Sequence, residues 1–248
     1  MKESNCKFCG YSFEKKYKTQ LFCSLRCANR LNLNNKKIVK LPRTYTKELA
    51  ELFGILLGDG SVTKYYVEIY LNRITDANYV PNVEKMCRKL FPGAPVTTHS
   101  KEKRGTTDIQ ISSKDVCDYL RGCGFNPKER NIPQWIKNDV RFAKAVIKGL
   151  FDTEGSVGIK YFKGKGGNYI YKQLTVTNKN ENILKFLEEY LSRFGYKPTK
   201  NSKKNIYLSN KNDIFRYLED IGSNNPKIVR KIKAKENKNF IWRVASNG

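Results

Sequence analysis

The chain has 248 residues, enough for one large or two small domains with a sizeable core, and its 48 Lys and Arg against 23 Asp and Glu leave a net charge of +25. That excess is spread along the whole length and interleaved with 15 Tyr. It fits a nucleic-acid partner better than a small-metabolite enzyme or a membrane surface. A single histidine, His99, argues against Ser-His-Asp hydrolases and against nucleases built on several histidines; no bilayer-spanning stretch and no signal peptide is found.

In chain order, the first feature is a cysteine set, Cys6-x2-Cys9-x13-Cys23-x3-Cys27. Paired close spacings of this kind suit tetrahedral zinc better than two disulfides. Residues 1–30 therefore read as a small four-cysteine, zinc-finger-like module, too short for a core without Zn2+. Residues 31–44 are polar and basic and read as a linker. The three remaining cysteines, Cys87, Cys117 and Cys123, read as core thiols.

From Tyr45 onward the chain reads as one unit written twice, at 45–138 and 139–248. Each copy opens with a helix carrying small residues at steps of four: Ala50, Gly54 and Gly58 in the first, Ala145, Gly149 and Thr153 in the second. Residues four apart share a helix face, and small side chains there let two backbones approach closely. Each helix ends on an acid, Asp59 and Glu154, followed by Gly-Ser-Val, with Gly60 and Gly155 expected to act as left-handed stops. The acids, the glycines and the alanines all repeat at the same offset of 95 residues. A carboxylate in the last helical turn opposes the helix dipole. Two such groups side by side repel each other, a conflict that divalent cations such as Mg2+ would remove.

After each helix the period changes. In copy one, Val67, Ile69 and Leu71 alternate as in strands. A helix over 77–90 places Val80, Val83, Met86 and Leu90 on one side, a hairpin over 96–112 turns at Arg104-Gly105, and a short helix covers 114–121. Copy two repeats this with strands at 157–162 and 169–177, a helix over 182–194, a strand region over 197–209 and a short helix over 214–221. The fold class is α+β, two pseudo-symmetric αββαββα repeats forming a saddle. In copy two, Leu174 and Val176 face the helices, leaving Tyr171, Gln173, Thr175 and Thr177 on a polar face fit for a DNA major groove. Lys163 and Lys165 in the glycine-rich turn join that surface, as does Lys203. Tyr70, Arg73, Lys103, Arg104 and Gln110 are its counterparts in copy one.

The stretches Leu52-Phe53-Gly54-Ile55-Leu56-Leu57-Gly58-Asp59-Gly60 and Ile147-Lys148-Gly149-Leu150-Phe151-Asp152-Thr153-Glu154-Gly155 resemble the two motifs of single-chain LAGLIDADG homing endonucleases. The resemblance covers about 45–235 and leaves the cysteine segment outside. It implies a monomer that cuts both strands of a long asymmetric double-stranded DNA site with Mg2+, held by Asp59 and Glu154 with the backbone carbonyls of Gly58 and Thr153. It also implies a basic residue after the last short helix of each copy. Gly124-Phe125-Asn126-Pro127-Lys128 points to Lys128, and Gly222-Ser223-Asn224-Asn225-Pro226-Lys227 points to Lys227. A maturase acting on intron RNA, or a non-cleaving regulator, is the alternative. Leu57 stands where the family has an acid, whereas Asp152 keeps it; Thr153 replaces a smaller residue, which implies looser helix packing.

Overall fold

The computed structural model describes residues 3–34, 38–164 and 167–234; the side chains of 32–34, 161–164, 167–170 and 201 lie outside that description. The chain forms two compact units, Met1–Ile38 and Val39–Gly248.

In the first unit, β1 (Glu3–Asn5) pairs antiparallel with β2 (Ser12–Glu14), and α1 (Leu25–Asn34) follows. The helix thus runs into the stretch read as a linker. At the far end of that stretch, Val39 packs against the core of the second unit, and Lys40 N donates to Pro92 O at 2.8 Å.

In the second unit, α2 (Lys47–Asp59) is capped by Thr46, whose side chain accepts from Leu49 N. Then come β3 (Gly60–Val62), β4 (Tyr66–Asn72), α3 (Val80–Leu90), β5 (Val96–Lys101), β6 (Thr106–Ser112) and α4 (Lys114–Gly122). A short α5 (Gln134–Lys137) leads to the second copy: α6 (Val140–Glu154), β7 (Gly155–Gly164), β8 (Gly167–Thr177), α7 (Glu181–Arg193), β9 (Thr199–Ser202), β10 (Asn205–Leu208), α8 (Lys211–Asp220) and α9 (Pro226–Lys233). The short α5 and α9 have no counterpart in the sequence reading. The sheets have matching order, β3-β4-β6-β5 and β7-β8-β10-β9, all neighbours antiparallel.

Alternation sends Val67, Ile69 and Leu71 of β4, and Leu174 and Val176 of β8, into one continuous core. Both sheets therefore cover helices with one apolar face. Cys87, Cys117 and Cys123 are buried, and Met86 packs against the core from a half-buried position. Tyr45 stacks on Trp135 with ring centroids 4.1 Å apart, and Trp135 Nε1 donates to Cys123 O. This contact closes the connection between the repeats.

The central contact is α2 against α6. A Cβ on Gly54 would stand 2.3 Å from Val146 O, and one on Gly149 would stand 2.3 Å from Glu51 O. Positions 51 and 54 are the counterparts of 146 and 149 at the 95-residue offset, so the two close approaches are related by the internal two-fold. Lower down, a Cβ on Gly58 would meet Thr153 Oγ1 at 2.4 Å. The threonine fills the space that Gly58 leaves, so its size does not loosen the pair. Ala50 and Ala145 are both buried. Gly60 and Gly155 are not left-handed: both are extended, with φ of −116° and −79°. Each begins a strand at once, and glycine is required because a Cβ would run into Leu56 or Phe151 of the helix just ended.

Candidate active site at the helix ends

Because α2 and α6 pack through glycines, their last residues arrive at one place. Asp59 and Glu154 line a cavity of about 450 Å3 together with Thr153, Asp76, Lys227, Tyr70 and Arg104. Burial pushes the Asp59 carboxyl up to about 6; nearby Asp76 adds to this, and Lys227 and Arg130 oppose it. Burial pushes Glu154 up to about 7, Asp59 pushes it further, and Arg130 again opposes. Glu154 Oε1 also accepts from Asn178 Nδ2 at 3.2 Å. The Glu154 carboxyl, raised by desolvation and by Asp59, is partially protonated near neutrality. As hard oxygen donors in an open cavity, the two carboxylates fit a divalent cation, which would supply the missing positive charge.

The first copy brings two cations to this place: Arg104 lines the cavity, and Arg130 lies near enough to oppose the upward shift of both acids. Lys128 is exposed and does not line the cavity. The Asn126 side chain, accepting from the amides of Lys128 and Glu129, turns the chain so that Arg130, at φ 50°, points inward. Its guanidinium donates to Leu57 O at 3.0 Å, Gly58 O at 3.2 Å and Gly60 O at 3.3 Å. These are carbonyls at the negative end of α2. The Gly58 carbonyl, expected as a metal ligand, accepts from Arg130 and keeps a second lone pair.

The second copy works differently. Lys227 lies at the start of α9, and its Nζ is 2.7 Å from Asp76 Oδ1. The buried Asn225 side chain donates to both Asp76 Oδ1 and Asp152 O at 2.8 Å. Asp152 does not reach the cavity. It is fully buried and holds the loop before α9 by accepting from Ser223 Oγ and from Asn224 N. Leu57, its counterpart, is also fully buried; there the following segment is held through the Leu57 carbonyl and Arg130. Each loop also crosses to the other repeat: Asn180 and Asn182 donate to Glu129 O and Asn131 Oδ1, and Asn82 donates to Asn224 O.

The outward sheet faces hold most of the polar residues expected to meet DNA. Thr177 is exposed and bonded to Asn205, Tyr171 and Thr175 are half-buried, and Lys203 and Lys103 are exposed. Gln173 is only 7% exposed. It stands in central strand β8 between Tyr171 and Thr175, so it presents little surface despite its outward register. Gln110 is half-buried and donates to Ser112 Oγ; Arg73 pairs with Glu102 at 3.5 Å. Lys165 and the side chain of Lys163 lie outside the described residues. Alternation also puts Glu68 and Asp108 on the first sheet's outward side, where Tyr70 OH donates to Glu68 and Thr106 to Asp108. That face is therefore less cationic than the chain's overall charge implies. Arg130, Asp76, Asn178 and Asn225 were not singled out by sequence reasoning. Only Arg130 had a signal, since it lies two residues past the expected lysine.

In the first unit, the Sγ atoms of Cys6, Cys9, Cys23 and Cys27 all lie within 4.8 Å of one another. No described helix is long and apolar enough to cross a membrane.

The pairing of two glycine-faced helices, each ending on a carboxylate beneath a four-stranded sheet, defines a two-repeat α+β protein with one composite acidic site. Comparison agrees: residues 141–222 match the family described as LAGLIDADG-like domain. The I-DmoI structure in complex with DNA and Mn superposes with a TM-score of 0.50 at 19% identity, covering 71% of this chain and 96% of that one. Residues 141–222 thus carry a LAGLIDADG-like domain, within a chain whose fold is similar to that of I-DmoI. An uncharacterized protein of Methanocaldococcus jannaschii is 28% identical over 183 residues, 69% of this chain and 62% of the relative. A DNA-directed RNA polymerase subunit, Rpo1C, of the same organism is 24% identical over 156 residues, 62% of this chain and 17% of the relative. The chain thus spans less than two thirds of these curated relatives.

Proposed function

We propose that this protein is a site-specific, divalent-metal-dependent DNA endonuclease that cuts both strands of a long asymmetric site as a monomer. The observation that carries this reading is the convergence of Asp59 and Glu154, one from each repeat, in one cavity with Arg130 and Lys227 acting on them. Asp59 and Glu154 would hold Mg2+, which when bound would polarise the scissile phosphates and lower the pKa of water. The protein's own groups do the rest. Arg130 and Lys227 offset the charge that builds up as the phosphate is attacked. Asp76 and Asn225 fix Lys227 in place, and Asn178 orients the Glu154 carboxylate. The outward faces of the two sheets supply the DNA contacts, with Tyr, Thr and Asn side chains reading base edges and Lys and Arg meeting phosphates. One chain carries both acids, so no second copy is needed. The I-DmoI complex with DNA and Mn supports this reading at the level of the fold. The four cysteines of the first unit hold a structural zinc.

The test is cleavage of DNA carrying the gene's own flanking sequences joined across it, with Mg2+, by wild type, Asp59→Asn and Glu154→Gln. Each single variant is expected to lose double-strand cutting. Unchanged cutting by both removes the mechanism. Tight sequence-specific binding without scission under any divalent ion turns the assignment to a non-cleaving regulator.

A further inference from the structure

The first unit has a chemistry of its own. Between Met1 and Ile38 the sequence has nine Lys and Arg against two Glu and no Asp. The sulfur pairs Cys9–Cys23 and Cys23–Cys27 are 3.6 and 3.5 Å apart. These separations are far beyond a disulfide bond and close to the roughly 3.8 Å edge of a tetrahedron of thiolates each 2.3 Å from zinc. Two of the four sulfurs flank the start of α1: Cys23 lies just before it and Cys27 in its first turn. Ser24 Oγ accepts from Cys27 N at 3.2 Å and caps the helix between them. A metal at this point would lock the helix onto the β1–β2 hairpin.

The other side of α1 is exposed over its described side chains. Cys27, Ala28 and Leu31 are half-buried, whereas Leu25, Arg26, Asn29 and Arg30 are exposed, Leu25 by 83%. At 100° per residue the exposed four form one continuous arc and the covered three form the opposite one. Among the described residues, Arg26 and Arg30 have no acidic partner and Asn29 has no side-chain hydrogen bond. The exposed face therefore offers two unspent guanidinium forks, one carboxamide and one apolar side chain. Arginine reads guanine and asparagine reads adenine through paired bonds in the major groove, and an apolar side chain contacts the thymine methyl. A zinc-anchored helix is a proven way to bring such side chains to base edges.

We propose that α1 is a second, zinc-dependent DNA-reading element, which uses Arg26, Asn29 and Arg30 to recognise a short block of duplex DNA separate from the site gripped by the two sheets. This rests on the endonuclease reading above. It makes the first unit a specificity module rather than a passive appendage.

The test is selection from a library of long randomised DNA duplexes by the full-length protein, with bound zinc counted by a colorimetric chelator. Wild type is expected to hold one zinc at Cys6, Cys9, Cys23 and Cys27, and to enrich a long block of preferred bases plus a separate block of about three base pairs. The Arg26→Ala/Asn29→Ala/Arg30→Ala variant is expected to keep the zinc and the long block and to lose the short one. It should bind the doubly matched duplex about tenfold more weakly or worse. Arg26→Lys/Arg30→Lys keeps the charge but not the forks, and is also expected to lose the short block. Cys23→Ser should lose both zinc and short block. The inference is overturned if the triple variant enriches the same bases as wild type, if the short block survives loss of zinc, or if duplex RNA is bound as tightly as DNA. In those cases the long block and its cleavage still stand. A wild type that enriches no sequence at all overturns both this inference and the endonuclease reading.

Discussion

Substituting alanine for Gly149 puts a methyl carbon 2.3 Å from the Glu51 carbonyl oxygen and 2.9 Å from Ile55 N. An acceptable carbon–oxygen contact is about 3.3 Å or more, so α2 and α6 must part by about 1 Å. Both opposing atoms are main chain within a helix, and no rotamer change can absorb the clash. Overpacking of this kind costs about 1–3 kcal/mol, with rigid backbone at the upper end. The better helix propensity of alanine returns up to about 1 kcal/mol. The net loss is about 2 kcal/mol, a fall in Tm of about 4–8 °C for a chain of this size. Gly54→Ala should match it, because its Cβ meets Val146 O at the same 2.3 Å. Gly122→Ala is the control: the same chemical change in α4, with nothing within 4 Å, should leave Tm unchanged or slightly raised. Thermal unfolding followed by circular dichroism reads all three, and DNA cleavage at a permissive temperature should fall for Gly54→Ala and Gly149→Ala as the acids are displaced. If either variant melts within about 1 °C of wild type, the helices do not pack backbone to backbone.

Two other outcomes follow from the site. Asp59 and Glu154 titrate near 6 and 7 in the folded protein and near 4 when unfolded. The native state therefore binds more protons between these values, and stability is lost as pH rises through 6 and 7. Metal-free Asp59→Asn/Glu154→Gln should melt above wild type at pH 8 and level with it at pH 4. Added Mg2+ should raise the pH 8 Tm of wild type but not of the variant; parallel Tm profiles across this range would show that the acids are not buried together. Arg130→Ala should lower single-turnover cleavage by about tenfold or more, whereas Lys128→Ala should stay within about twofold of wild type. The reverse ranking would return the catalytic cation to Lys128.

Much of the design was legible before any coordinates. The step-of-four glycines identify a helix face, and their repetition at a constant offset identifies its partner, because only a mate with its own small residues can come that close. The alternation at Val67, Ile69 and Leu71 needs only the period of a strand. The cysteine spacing needs only the reach of a tetrahedral site. These signals are local or periodic, and periodicity survives in one dimension. What the tertiary structure decided is of another kind. Arg130 turns to the end of α2 while Lys128 stays exposed because a left-handed residue redirects the chain, and φ is not written in residue type. Asp76 and Lys227 meet across 151 positions, a pairing that no spacing rule connects. Lys172, in register with the core-facing side of β8, is buried with its ammonium donating to Ile232 O and Ala234 O at the end of α9. Read from alternation alone, a lysine there looks like a fault; in three dimensions it neutralises the negative end of the helix that presents Lys227. Periodicity told which faces must be covered, and only the packed chain told which charged atoms would meet once they were.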